Sequence, residues 1–197
     1  FICQLGHSDP KRRMRATWPL DENNVFSIVT KNKFEYDPQI LLYSANLDQV
    51  KQGLDDLDAE ISSFYDILQI LQSEGVYITS IDDFYNIKKV YPHHYYILLW
   101  ALGKSAELKV GWALDFYTLD FENCALTELP GKIRYLSHIQ KVYLSDNELQ
   151  VLPIEFNFLT SIEYLYLKNN CFDPEPSFYG VLPKLINNPF SKSIRLE

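Results

Sequence analysis

Two adjacent histidines, His93 and His94, are the only local pair in these 197 residues that invites a catalytic or metal-binding reading. Neighbours on a helix point about 100° apart, so the two rings cannot share a face as ligands at i and i+4 would. They read as surface or helix-start histidines, and neither His7 nor His138 completes a recognisable triad motif. Asp55, Asp56 and Asp58 lack the glycine and terminal glutamate of a calcium loop and read as a solvated helix face. Asp82 and Asp83 fit a helix-start charge pair better than a carboxylate dyad. Cys3, Cys124 and Cys171 are odd in number and far apart, with no C-x-x-C spacing, which implies neither a disulfide framework nor a zinc site. Phosphate-loop, dinucleotide, nucleophile-elbow and H-E-x-x-H motifs are absent. The residues therefore predict no catalytic group, no metal site and no cofactor, and a non-enzymatic role.

Charge narrows the partner. A net charge of −8 is a poor match to nucleic acid, which requires a clustered basic footprint. The one basic cluster, Lys11, Arg12, Arg13 and Arg15, reads as a solvated loop. Hydrophobic residues at 47% and charged residues at 22% describe an ordinary globular chain. The longest apolar run, YYILLWAL at 95–102, falls far short of the roughly 18 residues of a membrane span, so no membrane insertion is expected. The unpaired cysteine pattern points to a reducing, cytoplasmic setting. The chain opens on Phe1 rather than Met, which leaves room for a removed tag, signal or transit segment.

What must position any binding residues is a repeat. At an offset of 23 residues, Leu119, Val142 and Leu165 align, as do Phe121, Leu144 and Leu167. Cys124, Asn147 and Asn170 form the next column, followed by Leu126, Leu149 and Phe172. Pro130 matches Pro153 and Pro176, Leu136 matches Leu159 and Leu182, and Ile139 matches Ile162 and Leu185. A further column, Leu129 and Leu152, fails at Glu175, so the third copy is degenerate. Over residues 116–185 this pattern resembles the leucine-rich repeat family, in the 23-residue, L-P-containing class of intracellular proteins. The resemblance implies one short parallel strand per repeat, an inward Asn or Cys at the turn and a convex return segment. Cys124, in the Asn slot, then reads as a buried structural thiol rather than a nucleophile, and Cys171 as structural too.

Strand alternation places Val142 and Leu144 inward and Tyr143 and Ser145 outward. The outward rows are Thr118, Lys141 and Tyr164; Asp120, Tyr143 and Tyr166; Glu122, Ser145 and Lys168; and Asn123, Asp146 and Asn169. Clustered exposed tyrosines are characteristic of binding surfaces, although Tyr143, Tyr164 and Tyr166 can instead pack on each other or under a neighbouring segment. The expected partner-binding set is Asp120, Glu122, Lys141, Tyr143, Ser145, Asp146, Tyr164, Tyr166 and Lys168.

Residues 1–115 read as a mainly helical region and 116–197 as the repeat region with a degenerate C-terminal cap. The fold class is α+β, a helical region capping a short solenoid with a small parallel sheet. Leu47, Val50, Leu54, Leu57, Ile61, Phe64, Leu68 and Leu71 form a heptad-spaced seam. One long helix, or two broken near 61–63, satisfies it. Packing inside its own domain is favoured over a coiled coil, with assembly through a 47–71 helix as the other use of the seam. Asn46 is a helix start, Gly75 a stop, and Ser80 with Asp83 a capping box. Pro92 suits a first helical turn, Gly103 a helix stop, and Ser105 the cap of a last helix carrying Trp112 and Leu114 toward the repeats. The stretch from Gly75 to Leu102 faintly resembles HEAT-like helical repeats. Within 1–45, residues 24–36 can form a hairpin, and the tail SIRLE can add an edge strand.

The expected function is a protein-protein interaction module whose concave face binds a protein partner, as an inhibitor or immunity-type antidote for a basic target. The alternatives are a structural subunit of a larger assembly, or an enzyme or ligand-binding helical domain with the repeats as a targeting attachment.

Overall fold

The computed structural model describes residues 37–71, 79–86 and 91–172, and the backbone of strand 193–195. The basic cluster, the 24–36 hairpin, Cys3, Gly75 and the repeat positions Glu175, Pro176, Leu182 and Leu185 lie outside the described residues. The chain packs as two units, Phe1–Ile61 with Lys89–His94, and Ser62–Lys88 with Tyr95–Glu197.

In the first unit a 3-10 turn, Pro38–Tyr43, leads into helix α1, Leu47–Asp58. The Asn46 side chain accepts the Asp48 N–H and so caps the helix at the expected residue. Gly53 lets the turn lie flat on α1, because a Cβ there would stand 2.8 Å from the Pro38 carbonyl oxygen. Val50, Leu54 and Leu57 bury against Leu41 and Leu42 in the resulting core. Tyr43 meets Tyr91 edge to face, with ring centroids 4.8 Å apart. His93 donates from Nε2 to the Ala45 carbonyl at 2.7 Å.

The heptad seam does not form one helix. In the second unit the chain restarts as α2, Phe64–Ile70, capped reciprocally by Ser63 and Asp66. A capping box satisfies the orphan N–H groups of a new helix, so the interruption costs little. Hydrogen bonds from Ser63 and Ser62, partly offset by burial, hold the Asp66 carboxyl below its ordinary value. Val50, Leu54, Leu57, Ile61, Ile67, Ile70 and Leu71 are all buried within the chain. The seam is thus carried by two helices broken near 61–63, with Leu47, Phe64 and Leu68 of it only half-buried.

Helix α3, Ile81–Tyr85, begins at the expected Ser80–Asp83 capping box. Helix α4 runs His94–Glu107, straight through the expected stop at Gly103. Gly103 is instead a point of close approach, where a Cβ would lie 2.3 Å from the Lys132 carbonyl oxygen. Ser105 is likewise interior rather than a cap: its hydroxyl donates to the Ala101 carbonyl one turn back. The helix ends at Lys109, which adopts the left-handed conformation (φ 57°). There Lys109 N–H donates to Ala106 and Val110 N–H to Ser105, the Schellman pattern without a glycine. Trp112 lies in a single 3-10 turn, Gly111–Ala113, not in a last helix, and rests on Phe64 and Phe84 at 5.3 and 5.2 Å between centroids. Leu114, expected beside it as an inward residue, is exposed.

Beyond Trp112 come β1 (Thr118–Asp120), β2 (Lys141–Tyr143), β3 (Tyr164–Tyr166) and β4 (Ser193–Arg195), in that order and all parallel. Thr118 pairs with Lys141 and Lys141 with Tyr164, so the register reproduces the 23-residue offset. The tail supplies the edge strand, with Arg195 opposite Tyr166. After Pro130 and Pro153 the chain turns into 3-10 segments, Gly131–Tyr135 and Ile154–Phe158, as proline at the entrance of an irregular return favours. Leu119, Val142, Leu165, Phe121, Leu144 and Leu167 are buried, as are Leu136, Leu159, Ile139 and Ile162. Helices joined to a small parallel sheet make the class α+β.

One ion-pair cluster ties α4 to the first return segment. The Glu107 carboxylate accepts Lys132 Nζ at 2.8 Å and Lys104 Nζ at 3.2 Å. Burial pushes its pKa up, but hydrogen bonds from Lys132, Tyr135 and Lys104 together outweigh that and hold it below the ordinary 4.5. A depressed carboxylate stabilises the fold above its unfolded pKa and loses that contribution as pH falls through its folded pKa. Glu107→Gln should therefore cost about 1–3 kcal/mol at pH 7 by urea unfolding, discounted for partial exposure, and flatten the loss of stability below about pH 4.5. Gly103→Ala should cost more than about 2 kcal/mol in the same assay. Gly111→Ala, with nothing within 4 Å of the added Cβ, should be neutral or slightly stabilising.

Candidate functional site

The exposed face of the parallel sheet is set by what lies beneath its turns. Asn147, buried, uses both ends of its amide. Its Nδ2 donates to the carbonyls of Phe121 (2.8 Å), Leu144 (3.0 Å) and Ser145 (3.1 Å). Its Oδ1 accepts the N–H groups of Cys124 (3.1 Å) and Leu126 (3.0 Å), a full turn away in sequence. Asn170 repeats the arrangement one strand later, donating to Leu144 and Leu167 at 2.8 and 2.9 Å and accepting from Leu149 at 3.1 Å. Cys124 holds the same slot, half-buried rather than buried, with Sγ donating to the Glu122 carbonyl at 3.4 Å. Cys171, one residue past the slot, is exposed.

The tight turn above each slot requires positive φ. Asn123, Asp146 and Asn169 supply it at 54°, 57° and 55°. Asn and Asp tolerate this left-handed region better than other side chains. Asp146 and Asn169 are also linked, Nδ2 donating to Oδ1 at 2.7 Å. The row expected to be outward is therefore a structural row first, with Asp146 exposed on it.

Tyr143 and Tyr166 lie in adjacent register positions and stack with centroids 4.6 Å apart and planes 2° apart. Of the two arrangements open to them from sequence, they take mutual packing, and both stay half-buried. Lys141 places Nζ 5.7 Å from the ring centre of half-buried Tyr164, within cation-π range. Asp120, Glu122, Lys141 and Lys168 are exposed. Ser145 is not: it is 6% exposed, which removes it from the accessible set. A short side chain on the central strand path is overshadowed by larger neighbours on both sides.

At the β1 edge, Tyr85 accepts the Asp120 N–H on its hydroxyl at 3.2 Å and meets Phe121 edge to face at 5.3 Å. Burial raises its pKa far above the ordinary 10.0, so it stays a neutral hydroxyl. Sequence reasoning passed over Tyr85, whose signal, an aromatic at the end of a five-residue helix, is shared with many core residues. His94 is buried, and His138 sits edge-on to Phe116 at 5.4 Å, its pKa lowered by burial against an opposing hydrogen bond with the Ala113 backbone. Among the described residues no three His, Cys, Asp or Glu side chains gather as a metal-holding group, and no helix is long and apolar enough to cross a membrane.

No family model and no solved structure matches this chain. It is similar to the "Probable serine/threonine-protein kinase pats1" of Dictyostelium discoideum, 38% identical over 80 residues. That match takes in 38% of this chain and 2% of the kinase, so it spans a small segment of a far longer protein.

If Asn147 is the brace of the turns, Asn147→Ala should cost about 3–5 kcal/mol, since buried backbone groups on three segments lose partners at about 1–3 kcal/mol each. Asn170→Ala, at a half-buried site with fewer short bonds, should cost about 1–2 kcal/mol. Urea unfolding of the two variants, side by side, checks both the size and the order.

Proposed function

We propose that residues 116–185 form a short leucine-rich repeat solenoid, flanked by the helical region, that acts as a non-enzymatic protein-binding module. Its concave face, the exposed side of β1–β3, is the contact surface. The observation that carries this reading is the half-buried Tyr143–Tyr166 stack, with Lys141 over Tyr164 beside it. Rings already ordered in the free protein lose little entropy on contact, and tyrosine offers both area and a hydroxyl. The 23-residue register and the Asn147 and Asn170 brackets support the repeat assignment. A protein partner in the cytoplasm, rather than nucleic acid or a bilayer, fits the net charge of −8. An inhibitor or immunity-type role against a basic target fits the same acidity. The kinase-named relative is matched over too little of its length to bring its activity here, but a module borne within larger proteins agrees with that partial match.

The test is affinity capture from the native host with mass spectrometry, run beside a variant carrying Tyr143→Ala, Tyr164→Ala, Tyr166→Ala, Lys141→Glu and Lys168→Glu. The wild type should retain a specific protein that the variant loses by at least about tenfold, while circular dichroism shows the variant still folded. Undiminished capture by a folded variant rejects the concave face.

A further inference from the structure

On the exposed face β1 carries negative charge and the β3 path positive charge, while the β2 path between them carries one of each, Lys141 and Asp146. Asp120 and Glu122, on β1 and just past it, are exposed and negative. Lys141 on β2 and Lys168 just past β3 are exposed and positive. Between Glu122 and Lys168 lies Ser145, short and buried, so that row is low at its centre. Two strand spacings separate Glu122 from Lys168, about 10 Å. At that distance in water their mutual attraction is only about 0.4 kcal/mol, so neither charge neutralises the other. Among the described residues, neither one is in an ion pair.

Resting on the concave-face reading above, we propose that this face takes an extended peptide segment of a partner that is bipolar in charge. Its cationic end meets Asp120 and Glu122, its apolar or proline-containing middle crosses the Tyr143–Tyr166 stack, and its anionic end meets Lys168 and Lys141. Extended or polyproline chain advances about 3.1 Å per residue, so charges about four residues apart, roughly 12 Å, span the two poles. The polarity fixes the direction of the segment and disfavours uniformly charged ligands, because each would place like charges against one pole.

Four synthetic peptides test this: RRPLPEE, the scattered isomer REPLPER, the basic RRPLPRR and the acidic EEPLPEE. Each is titrated to millimolar concentration against the full chain, following backbone amides of β1–β3 by NMR. RRPLPEE should bind at least about tenfold more tightly than the other three, with shifts on β1 and β3 together. In the variant Lys141→Glu with Lys168→Glu, preference should pass to RRPLPRR. Equal affinities, a uniform peptide preferred by the wild type, shifts away from this face, or no binding of RRPLPEE overturns the bipolar assignment. The concave-face reading survives any of these if the face variant still loses its captured protein.

Discussion

One side chain carries the geometry of the sheet. The Asn147 amide spans three backbone segments, joining the Phe121 carbonyl, the Leu144–Ser145 carbonyls and the Cys124 and Leu126 N–H groups. Three-residue strands cannot satisfy a tight turn by ladder bonds alone, and each polar group left dry would cost more than the net worth of a bond. An amide fits because it donates and accepts at once, in a plane the backbone can use. Cys124 in the equivalent slot has only a weak donor, and it stands at the first strand, where Tyr85 and Asp120 already join backbone to side chain.

Where identical chemistry recurs at fixed spacing, the sequence is readable. The Leu, Ile and Val columns, the Asn slot and the prolines at the return segments all mark periodic demands; among the described residues the apolar columns are buried through the first two copies, while Phe172 of the third is half-buried. The caps Asn46 and Ser80 are legible for the same reason, since they act within three residues of themselves, whereas the Ser63–Asp66 box at the seam's break went unread. Gly103 and Ser105 were not legible. A glycine in an apolar helix carries the same local signal whether it ends the helix or admits a neighbour, and the neighbour here, Lys132, is distant in sequence. Lys109 takes the left-handed position normally given to glycine, so the true end carried no mark.

The face itself divides along the same line. Strand parity correctly separates Val142 from Tyr143, but parity cannot weigh side-chain length. Ser145 has the outward parity and is buried, because accessibility depends on the bulk of what flanks it. The row of Asn123, Asp146 and Asn169 is outward as well, yet its identity answers a backbone demand for positive φ. Outward position is thus necessary for contact and not sufficient for function.

Scaffold and face are then under different physical constraints. The buried columns are fixed by close packing, in which a lost methylene is felt throughout. Tyr143, Tyr166, Lys141 and Lys168 answer to no such demand. Mutual stacking of Tyr143 and Tyr166 contributes about 0.5–1.5 kcal/mol to the fold, too little to be required of a domain with this much buried leucine.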